Sequence, residues 1–457
     1  MKSSIKVCAY NHNIFIKKVL LYYGFRGTKV PGGVLVMQPE PKLNGWNGVA
    51  EQDGWVVFVL LAQGIRLLAF DLVPCGDIVI KDTNGNAFVL QDFFDSFGQT
   101  SRSFSSKEAR ANLDTLALGD IYQIHAHIKN LLVEDKPNYI FLDEIQNVKE
   151  FQRLVDSLYI KPNVDIYITG SNAYMLSGEL ATLLTGRYVE INLLPLQFAE
   201  YNNFIHLKSP NLSNNETLAN FIHYGGVPEY VKQLQIGEKQ ADMFADSILK
   251  TIVEKDIFQR LNITNKHDFN KILDFIFDSV GSYVSPRSIS DTLRSNGTVV
   301  DKQTVAKYLD AMCDAYLIYK VPRYEIQGKG LLQTLNKYYV VDPCFAKVRL
   351  KKKVLKDRSH WLEDMVYLEL VRRNKDVFIG KRNNLEVDFV VTDNDGYTSY
   401  YQVAWTTESP ETLERELASL RAIKDSNPKY LLTTDNDFNP VYDGIRKLNV
   451  IDWMLQP

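Results

Sequence analysis

No run of about twenty apolar residues interrupts this 457-residue sequence, so no segment has the length that a bilayer-spanning helix requires. The opening Met1-Lys2-Ser3-Ser4-Ile5-Lys6 is mildly basic, but the apolar stretch after it is broken by Asn11, His12 and Asn13. A secretory leader is therefore not expected, and the chain reads as cytoplasmic. Cysteine is scarce. Cys8, Cys75, Cys313 and Cys344 lie far apart, with no C-x-x-C pair and no histidine at ligand spacing, which argues against a disulfide framework and a zinc site and leaves four free thiols. A large excess of either charge is also missing: the net charge is −3, so any affinity for nucleic acid has to come from a local patch. Nowhere does the string G-x-x-x-x-G-K-[ST] occur, the loop whose backbone N–H groups would wrap a phosphate between a strand and a helix.

What is present is an ordinary globular composition, 45% apolar and 23% charged, on a chain longer than the roughly 250 to 300 residues one core supports. Two to four domains are expected. Between Gly54 and Leu90, β-rich runs (Trp55 to Leu61, Arg66 to Phe70, Asp77 to Ile80, Ala87 to Leu90) are separated by hairpin-type turn residues and read as a meander. From about Asp120 the pattern becomes helix, strand, helix, strand (Ile121 to Leu132, Tyr139 to Leu142, Lys149 to Leu158, Val164 to Thr169), the alternation of a parallel α/β sheet. A long helical stretch is expected from Glu216 to about Leu261, then a compact helical set opening at Phe269 to Asp278.

Tyr139-Ile140-Phe141-Leu142-Asp143-Glu144 is four apolar residues followed by two acids. A buried parallel strand of this kind delivers carboxylates to the sheet edge where ligands of open α/β sheets bind. In a Walker B reading, Asp143 holds Mg²⁺ through its water shell and Glu144 orients or deprotonates the attacking water. The next apolar strand, Val164 to Thr169, runs into Gly170-Ser171-Asn172, polar residues suited to sensing a γ-phosphate. The plainer reading of that cluster is a turn whose Ser or Asn caps the following helix.

Asp143-Glu144-Ile145-Gln146, Thr169-Gly170-Ser171-Asn172, Leu184-Thr185-Gly186-Arg187, Leu194-Pro195-Leu196-Gln197-Phe198-Ala199-Glu200-Tyr201 and Tyr224-Gly225-Gly226-Val227-Pro228-Glu229 follow one another in an order that resembles a single family. It is the bacterial and archaeal AAA-type P-loop ATPases fused to a C-terminal domain of unknown function, and the resemblance covers about residues 120 to 457. It implies ATP and Mg²⁺ as ligands, with Thr169, Ser171 and Asn172 near the nucleotide. Arg187 stands where the family places an arginine finger or a phosphate-sensing arginine. The nearest approach to the absent loop is Gly24-Phe25-Arg26-Gly27-Thr28-Lys29, which would make Gly27 and Lys29 the cradle, although Pro31 and Gly32-Gly33 block the helix it needs. Either a different domain replaces the nucleotide-binding half, or a reading-frame change lies upstream; both imply weak or absent ATP binding.

Ser285 to Ser290 starts a short helix, Asn296-Gly297 turns it, and Asp301 caps a second helix with Val305, Tyr308, Leu309 and Met312 on its apolar face. With a hairpin through Leu317 to Val321 and Lys337 to Val341 this is a winged helix, presenting Lys302, Gln303 and Lys307 to DNA; use as a protein-binding lid is the competing reading. Lys347 to Arg358 holds seven Lys or Arg in twelve residues, Lys351, Lys352 and Lys353 among them, a cluster able to neutralise phosphates or simply a solvated surface.

Beyond it, the order helix (Trp361 to Arg373), three strands (Val377 to Gly380, Glu386 to Val391, Tyr400 to Val403), helix (Glu411 to Ile423) and strand (Tyr430 to Leu432) resembles the PD-(D/E)XK nuclease core. Glu363, Glu386 and Asp388 match its acids. The decisive Glu-x-Lys strand reads Gln402-Val403-Ala404 here, so the anionic metal site and the charge-stabilising ammonium are both depleted. The site is expected to be degenerate.

The chain is thus expected to be a multidomain α/β protein. Residues 1–115 form a divergent N-terminal region in place of the P-loop half. Residues 116–210 form an AAA-type parallel-sheet core, 211–265 a helical lid, 266–345 a winged helix and 346–457 a restriction-endonuclease-like α/β domain. Two functions follow: an ATP-binding and ATP-hydrolysing molecular switch, or a nucleotide-independent module that binds DNA or protein. DNA, a protein partner and a second copy of the chain are the partners in view; a membrane is not.

Overall fold

The computed structural model describes the strands within 5–88, then 121–132, 138–143, 145, 148, 150–170, 173, 187–207, 209–328, 330–351, 358–373, 376–393, 395–438 and 440–456. The chain divides into two compact units, Met1–Leu193 and Leu194–Pro457. This division is coarser than the five segments expected from the sequence.

In the first unit, strands β1 (Ile5–Ala9), β2 (Phe25–Lys29), β3 (Leu35–Pro39), β4 (Trp55–Leu61), β5 (Ile65–Leu72), β6 (Ile78–Lys81) and β7 (Ala87–Phe88) precede helix α1 (Ile121–Leu131), strand β8 (Asn138–Asp143), helix α2 (Phe151–Tyr159), strand β9 (Val164–Gly170) and strand β10 (Tyr188–Asn192). Among the described residues they form one sheet in the order β10-β1-β9-β8-β4-β5-β6-β3-β2, with β7 paired to β6. The stretch from β10 to β4 is parallel throughout, while β4 to β6 is an antiparallel meander. The expected meander and the expected βα alternation are therefore joined in one sheet.

The parallel part is buried for a reason visible in its periodicities. Ile140 and Leu142 of β8 and Val164, Ile166 and Ile168 of β9 alternate onto one face. Helix α1 covers them with Ile121, Ile124 and Ile128, and α2 with Phe151, Leu154, Val155 and Leu158, at the i, i+3, i+4, i+7 spacing of an apolar stripe. Burying each of those large side chains contributes roughly 2 kcal/mol before conformational entropy is subtracted.

The second unit begins with helices α3 (Phe198–His206), α4 (Asn214–Tyr224), α5 (Pro228–Leu234) and α6 (Glu238–Thr251), the last continued by a π-helical segment, Ile252–Gln259. The long helical stretch expected from Glu216 to about Leu261 is thus divided among several helices. Gly225 sits at φ 77° and ends α4, backbone that glycine alone adopts cheaply, and α6 starts after Gly237 in extended backbone.

Helix α7 (Lys266–Asp278), strand β11 (Tyr283–Val284), helices α8 (Pro286–Ser295) and α9 (Lys302–Asp314), and strands β12 (Ile318–Glu325) and β13 (Gly330–Val340) follow. The caps are those read from the sequence: Ser285 accepts from the Ser288 N–H, and Asp301 from those of Gln303 and Thr304. Val305, Tyr308, Leu309 and Met312 are buried.

Then come α10 (Pro343–Leu350), α11 (Arg358–Arg372), β14 (Asp376–Arg382), β15 (Leu385–Thr392), β16 (Thr398–Val403), α12 (Pro410–Ala422), β17 (Lys429–Thr433), β18 (Val441–Tyr442), β19 (Ile445–Asn449) and α13 (Val450–Leu455). Among the described residues a nine-stranded sheet, β11-β13-β12-β14-β15-β16-β17-β19-β18, runs through the unit. The hairpin strand β12 pairs in parallel with β14, Arg323 to Glu325 against Ile379 to Lys381. One hydrophobic cluster extends from Leu194 to Met454. Among the described residues, no helix is long and apolar enough to cross a membrane.

Two sequence motifs find their explanation in this unit. The Gly226 carbonyl accepts the Leu196 N–H at 2.8 Å, and the Gly226 N–H donates to Asp342 Oδ2 at 2.7 Å. Asp342 Oδ1 accepts the Cys344 N–H at 2.9 Å, capping α10. A Cβ at Gly225 would stand 1.8 Å from Asp342 Oδ1, and one at Gly226 would stand 2.5 Å from the Leu196 carbonyl oxygen. Glycine is required at both positions.

Gly225→Ala combines a positive φ with that overlap, so it is expected to destabilise the full chain by about 3 kcal/mol or more in urea unfolding. Burial pushes the Asp342 carboxyl up to about 6 from 3.8, against the lowering effect of the Cys344 and Gly226 N–H groups. A carboxyl that holds its proton more tightly when folded favours the folded state at low pH. Its contribution declines as pH rises from about 4 to about 6 and then levels off, by up to about 3 kcal/mol. The stability difference between the wild type and Asp342→Asn is therefore expected to be larger at pH 4.5 than at pH 7.

Candidate functional site

Strands β8, β9 and β1 run the same way, so their C-terminal ends share one edge of the first unit's sheet. Leu142 pairs with Ile168, and Ala9 with Gly170, which brings the backbones of Asp143, Thr169 and Gly170 to that edge beside the end of β1. Such an edge, between adjacent parallel strands, is where ligands of open α/β sheets bind. Glu144, Ser171 and Asn172 lie outside the described residues, as do the side chains of Asp143 and Thr169.

Gly27 and Lys29 are not at that edge. They belong to β2, where Gly27 pairs with Met37 and Lys29 with Leu35 in an antiparallel ladder, at the far end of the strand order from β1. Backbone committed to a strand ladder does not form the loop-to-helix nest that holds phosphate, and Gly27 and Lys29 stand apart from the Asp143 edge. The segment that does follow a central parallel strand is Tyr10-Asn11-His12-Asn13, after β1, and it has neither glycine nor a Lys-Ser/Thr pair.

Arg187 precedes β10, whose first residue Tyr188 pairs with Ile5 at the start of β1. It therefore lies toward the opposite edge from Asp143, about 13 Å away along the strands. Its guanidinium binds Asp156 at 2.7 Å and stands 5.8 Å from the Tyr159 ring centre, half exposed. Within one chain Arg187 does not reach the Asp143 edge.

The acids of the second unit do converge. Glu363 on α11, Glu386 and Asp388 on β15 and Gln402 on β16 gather in one place, and the residue at their centre is one the sequence reading passed over. Lys337, on β13, places its Nζ 2.7 Å from Glu386, 2.8 Å from Glu363 and 3.9 Å from Asp388. Lys337 is 5% exposed, Glu363 5% and Asp388 7%. Tyr339, two residues on and thus on the same face of β13, donates its hydroxyl to Glu363 at 2.6 Å. The signal was a lysine in step with an interior tyrosine on a β-strand.

Electrostatics fit this arrangement. Burial disfavours the Lys337 ammonium, but Glu363, Asp388 and Glu386 outweigh it, so its pKa lies above the ordinary lysine range. Burial, then repulsion by Glu363, drives the Asp388 carboxyl well above the usual carboxylate range, although Lys337 and the Val403 N–H pull the other way. Gln402 turns its amide away from Lys337. Its Nε2 donates to Glu416 at 2.9 Å, and its Oε1 accepts from the Asp388 N–H and the Ser419 hydroxyl. Ala404 is buried, with its N–H on the Leu432 carbonyl.

The basic features divide. Lys302, Gln303 and Lys307 form an exposed face of α9, and Lys351 is exposed as well, while Lys352 and Lys353 lie outside the described residues. Two charges of the Lys347 to Arg358 run are spent inside the fold. Lys347 is buried against Asp242 and Glu238, and Arg349 binds Asp274 at 2.5 Å. That run is a weaker anion patch than its sequence suggests.

Residues 89–202 match the family described as an AAA domain, and residues 215–356 match a domain of unknown function, DUF8612. An uncharacterized protein of Haemophilus influenzae is 38% identical over 318 residues, which cover 70% of this chain and 78% of that protein. An uncharacterized protein of Methanocaldococcus jannaschii is 28% identical over 360 residues, 76% of this chain and 77% of that one. Among solved structures, a Walker-type ATPase of Pyrococcus abyssi matches with 17% identity and a TM-score of 0.36, over 57% of this chain and 75% of that one. With its AAA domain at the parallel edge that ends in Asp143, the chain belongs to the same family as the Haemophilus influenzae protein.

Proposed function

We propose that the chain is an AAA-type molecular switch that binds and hydrolyses ATP at the edge formed by β8, β9 and β1, and that the second unit is the part it presents to DNA or to a protein partner. The observation that carries the reading is the parallel order β10-β1-β9-β8-β4, with Asp143 and Thr169 ending neighbouring strands inside the AAA-matched segment. Asp143 would hold Mg²⁺ through water, Glu144 would orient the attacking water, and Thr169, Ser171 and Asn172 would face the γ-phosphate. Bound Mg²⁺ supplies the neutralisation of charge on the phosphates. The place of Arg187 at the opposite edge supports a role on the nucleotide of a second copy, which implies a homo-oligomer.

A second reading is favoured by the ladder that holds Gly27 and Lys29 and by the absence of glycine after β1. In it the chain is a nucleotide-independent module descended from such an ATPase. Both readings share the second unit: helices α7 to α9 with the β11-β12-β13 hairpin as a winged helix, and α11 to β17 as a degenerate nuclease-like domain without nuclease activity. The pairing of β12 with β14 leaves the α9 face, rather than the wing, for contact with DNA.

Calorimetry of the full chain with Mg²⁺-ATP is expected to show binding that Asp143→Ala abolishes; a folded protein with no heat of binding retires the switch and leaves the binder. Arg187→Ala removes only an exposed ion pair and is expected to cost less than about 1 kcal/mol of stability, while lowering ATP turnover by about 1000-fold; unchanged turnover removes its role. Replacing Lys302 and Lys307 by alanine is expected to reduce the salt dependence of duplex DNA binding by about two counterions, an outcome read from affinity measured across a salt series.

A further inference from the structure

A nuclease-like domain of the kind just proposed uses a divalent cation held by its acids, and the residues present do not fit one. Among the described residues no group of three or more histidine, cysteine, aspartate or glutamate side chains is arranged to hold a metal ion. What stands between Glu363, Glu386 and Asp388 is the ammonium of Lys337. The amide of Gln402 is committed to Glu416, Ser419 and the backbone N–H of Asp388. The lysine comes from outside the domain's own core, on the hairpin strand β13, not from the Ala404 position where the nuclease pattern has one.

We infer that Lys337 is a built-in cation that takes the place of the metal among Glu363, Glu386 and Asp388, and that by doing so it fastens the hairpin of the helical module to the C-terminal domain. Three features carry this. The ammonium is within hydrogen-bond reach of two carboxylates and within ion-pair reach of the third. It is capped by Tyr283, whose ring centre is 5.4 Å from Nζ, so water is replaced by protein on that side. Tyr339 on the same strand shares Glu363, and the Val340 N–H donates to Asp364 Oδ1 at 2.8 Å, so β13 is tied to α11 at three successive points. A soluble cation would have to displace a tethered one, and tethering gives Lys337 a high effective concentration at the cluster. The domain is held in a metal-excluding state by its neighbour. The inference rests on the nuclease-like reading for what the cluster descends from, but its test does not involve DNA or ATP.

Thermal unfolding and Mn²⁺ titration of the full-length protein decide it. Wild type is expected to show no Mn²⁺ binding at the cluster and no melting shift. Lys337→Met leaves Glu363 and Asp388 buried, and Glu386 half-buried, without a countercharge and is expected to melt roughly 10 °C lower; millimolar Mn²⁺ restores part of that loss, and adding Glu386→Gln abolishes the restoration. Mn²⁺ binding by wild type that disappears in Glu386→Gln, or a Lys337→Met protein as stable as wild type without metal, overturns the inference. Should Lys337→Met not fold, reductive methylation of wild type with mass-spectrometric mapping decides. Lys337 is expected to be modified on the order of 100-fold more slowly than Lys302 and Lys307, and equal rates overturn the inference. If Mn²⁺ rescues the variant while the protein binds neither DNA nor ATP, the cation inference stands and the proposed function falls.

Discussion

Strand β13 is the element on which the second unit depends, because residues near its C-terminal end satisfy acidic groups, most of them buried, from different parts of the chain. Lys337 pairs with Glu363, Glu386 and Asp388, Tyr339 bonds Glu363, and the Val340 N–H bonds Asp364. Asp342, just beyond the strand, receives the Gly226 N–H and caps α10. Each of these groups would cost several kcal/mol if buried without its partner. The strand can therefore occupy one register only, since a shift of one residue would turn Lys337 and Tyr339 to the other face. Gly225 follows from the same constraint, because Asp342 can sit there only where no Cβ stands at Gly225, while Gly226 is required by the close approach of the Leu196 carbonyl.

This constraint bears on how the parts work together. A winged helix that is free to move could insert its hairpin into a nucleic-acid groove. Here the hairpin is one stretch of a continuous sheet, with β12 on β14 and Lys337 inside the neighbouring domain. Lys347 and Arg349 add two more ties, to Asp242 on α6 and to Asp274 on α7. The helices of 194–314 and the C-terminal domain are thus joined by packed and ion-paired elements.

Much of this fold was legible in the sequence wherever a local period or a cap dictates structure. The helices at Ile121 and Phe151 follow from apolar residues at i, i+3 and i+7, and Ser285 and Asp301 cap the helices that they precede. In the C-terminal domain the order helix, three strands, helix, strand matches the reading closely, and the site acids Glu363, Glu386 and Asp388 do meet. What was not legible depends on contacts distant in sequence. Nothing near Lys337 announces that its partners lie about 26 to 51 positions away on α11 and β15. The basic run at Lys347 to Arg358 counts charges without showing which are already paired. Gly24 to Lys29 approaches a phosphate loop in composition, but Phe25–Lys29 pairs with Leu35–Pro39 as a strand, a choice made by tertiary context over local composition.

The central claim is that residues 194–457 form one cooperative body held by β13. Native-state hydrogen exchange of the full-length protein tests it most directly, by comparing the slowest amides of β13 and α9 with those of α11 and β15. One shared opening free energy, falling together in Lys337→Met, is the result the account predicts. Amides of α9 and β13 that open several kcal/mol more easily than those of α11 and β15 would contradict it.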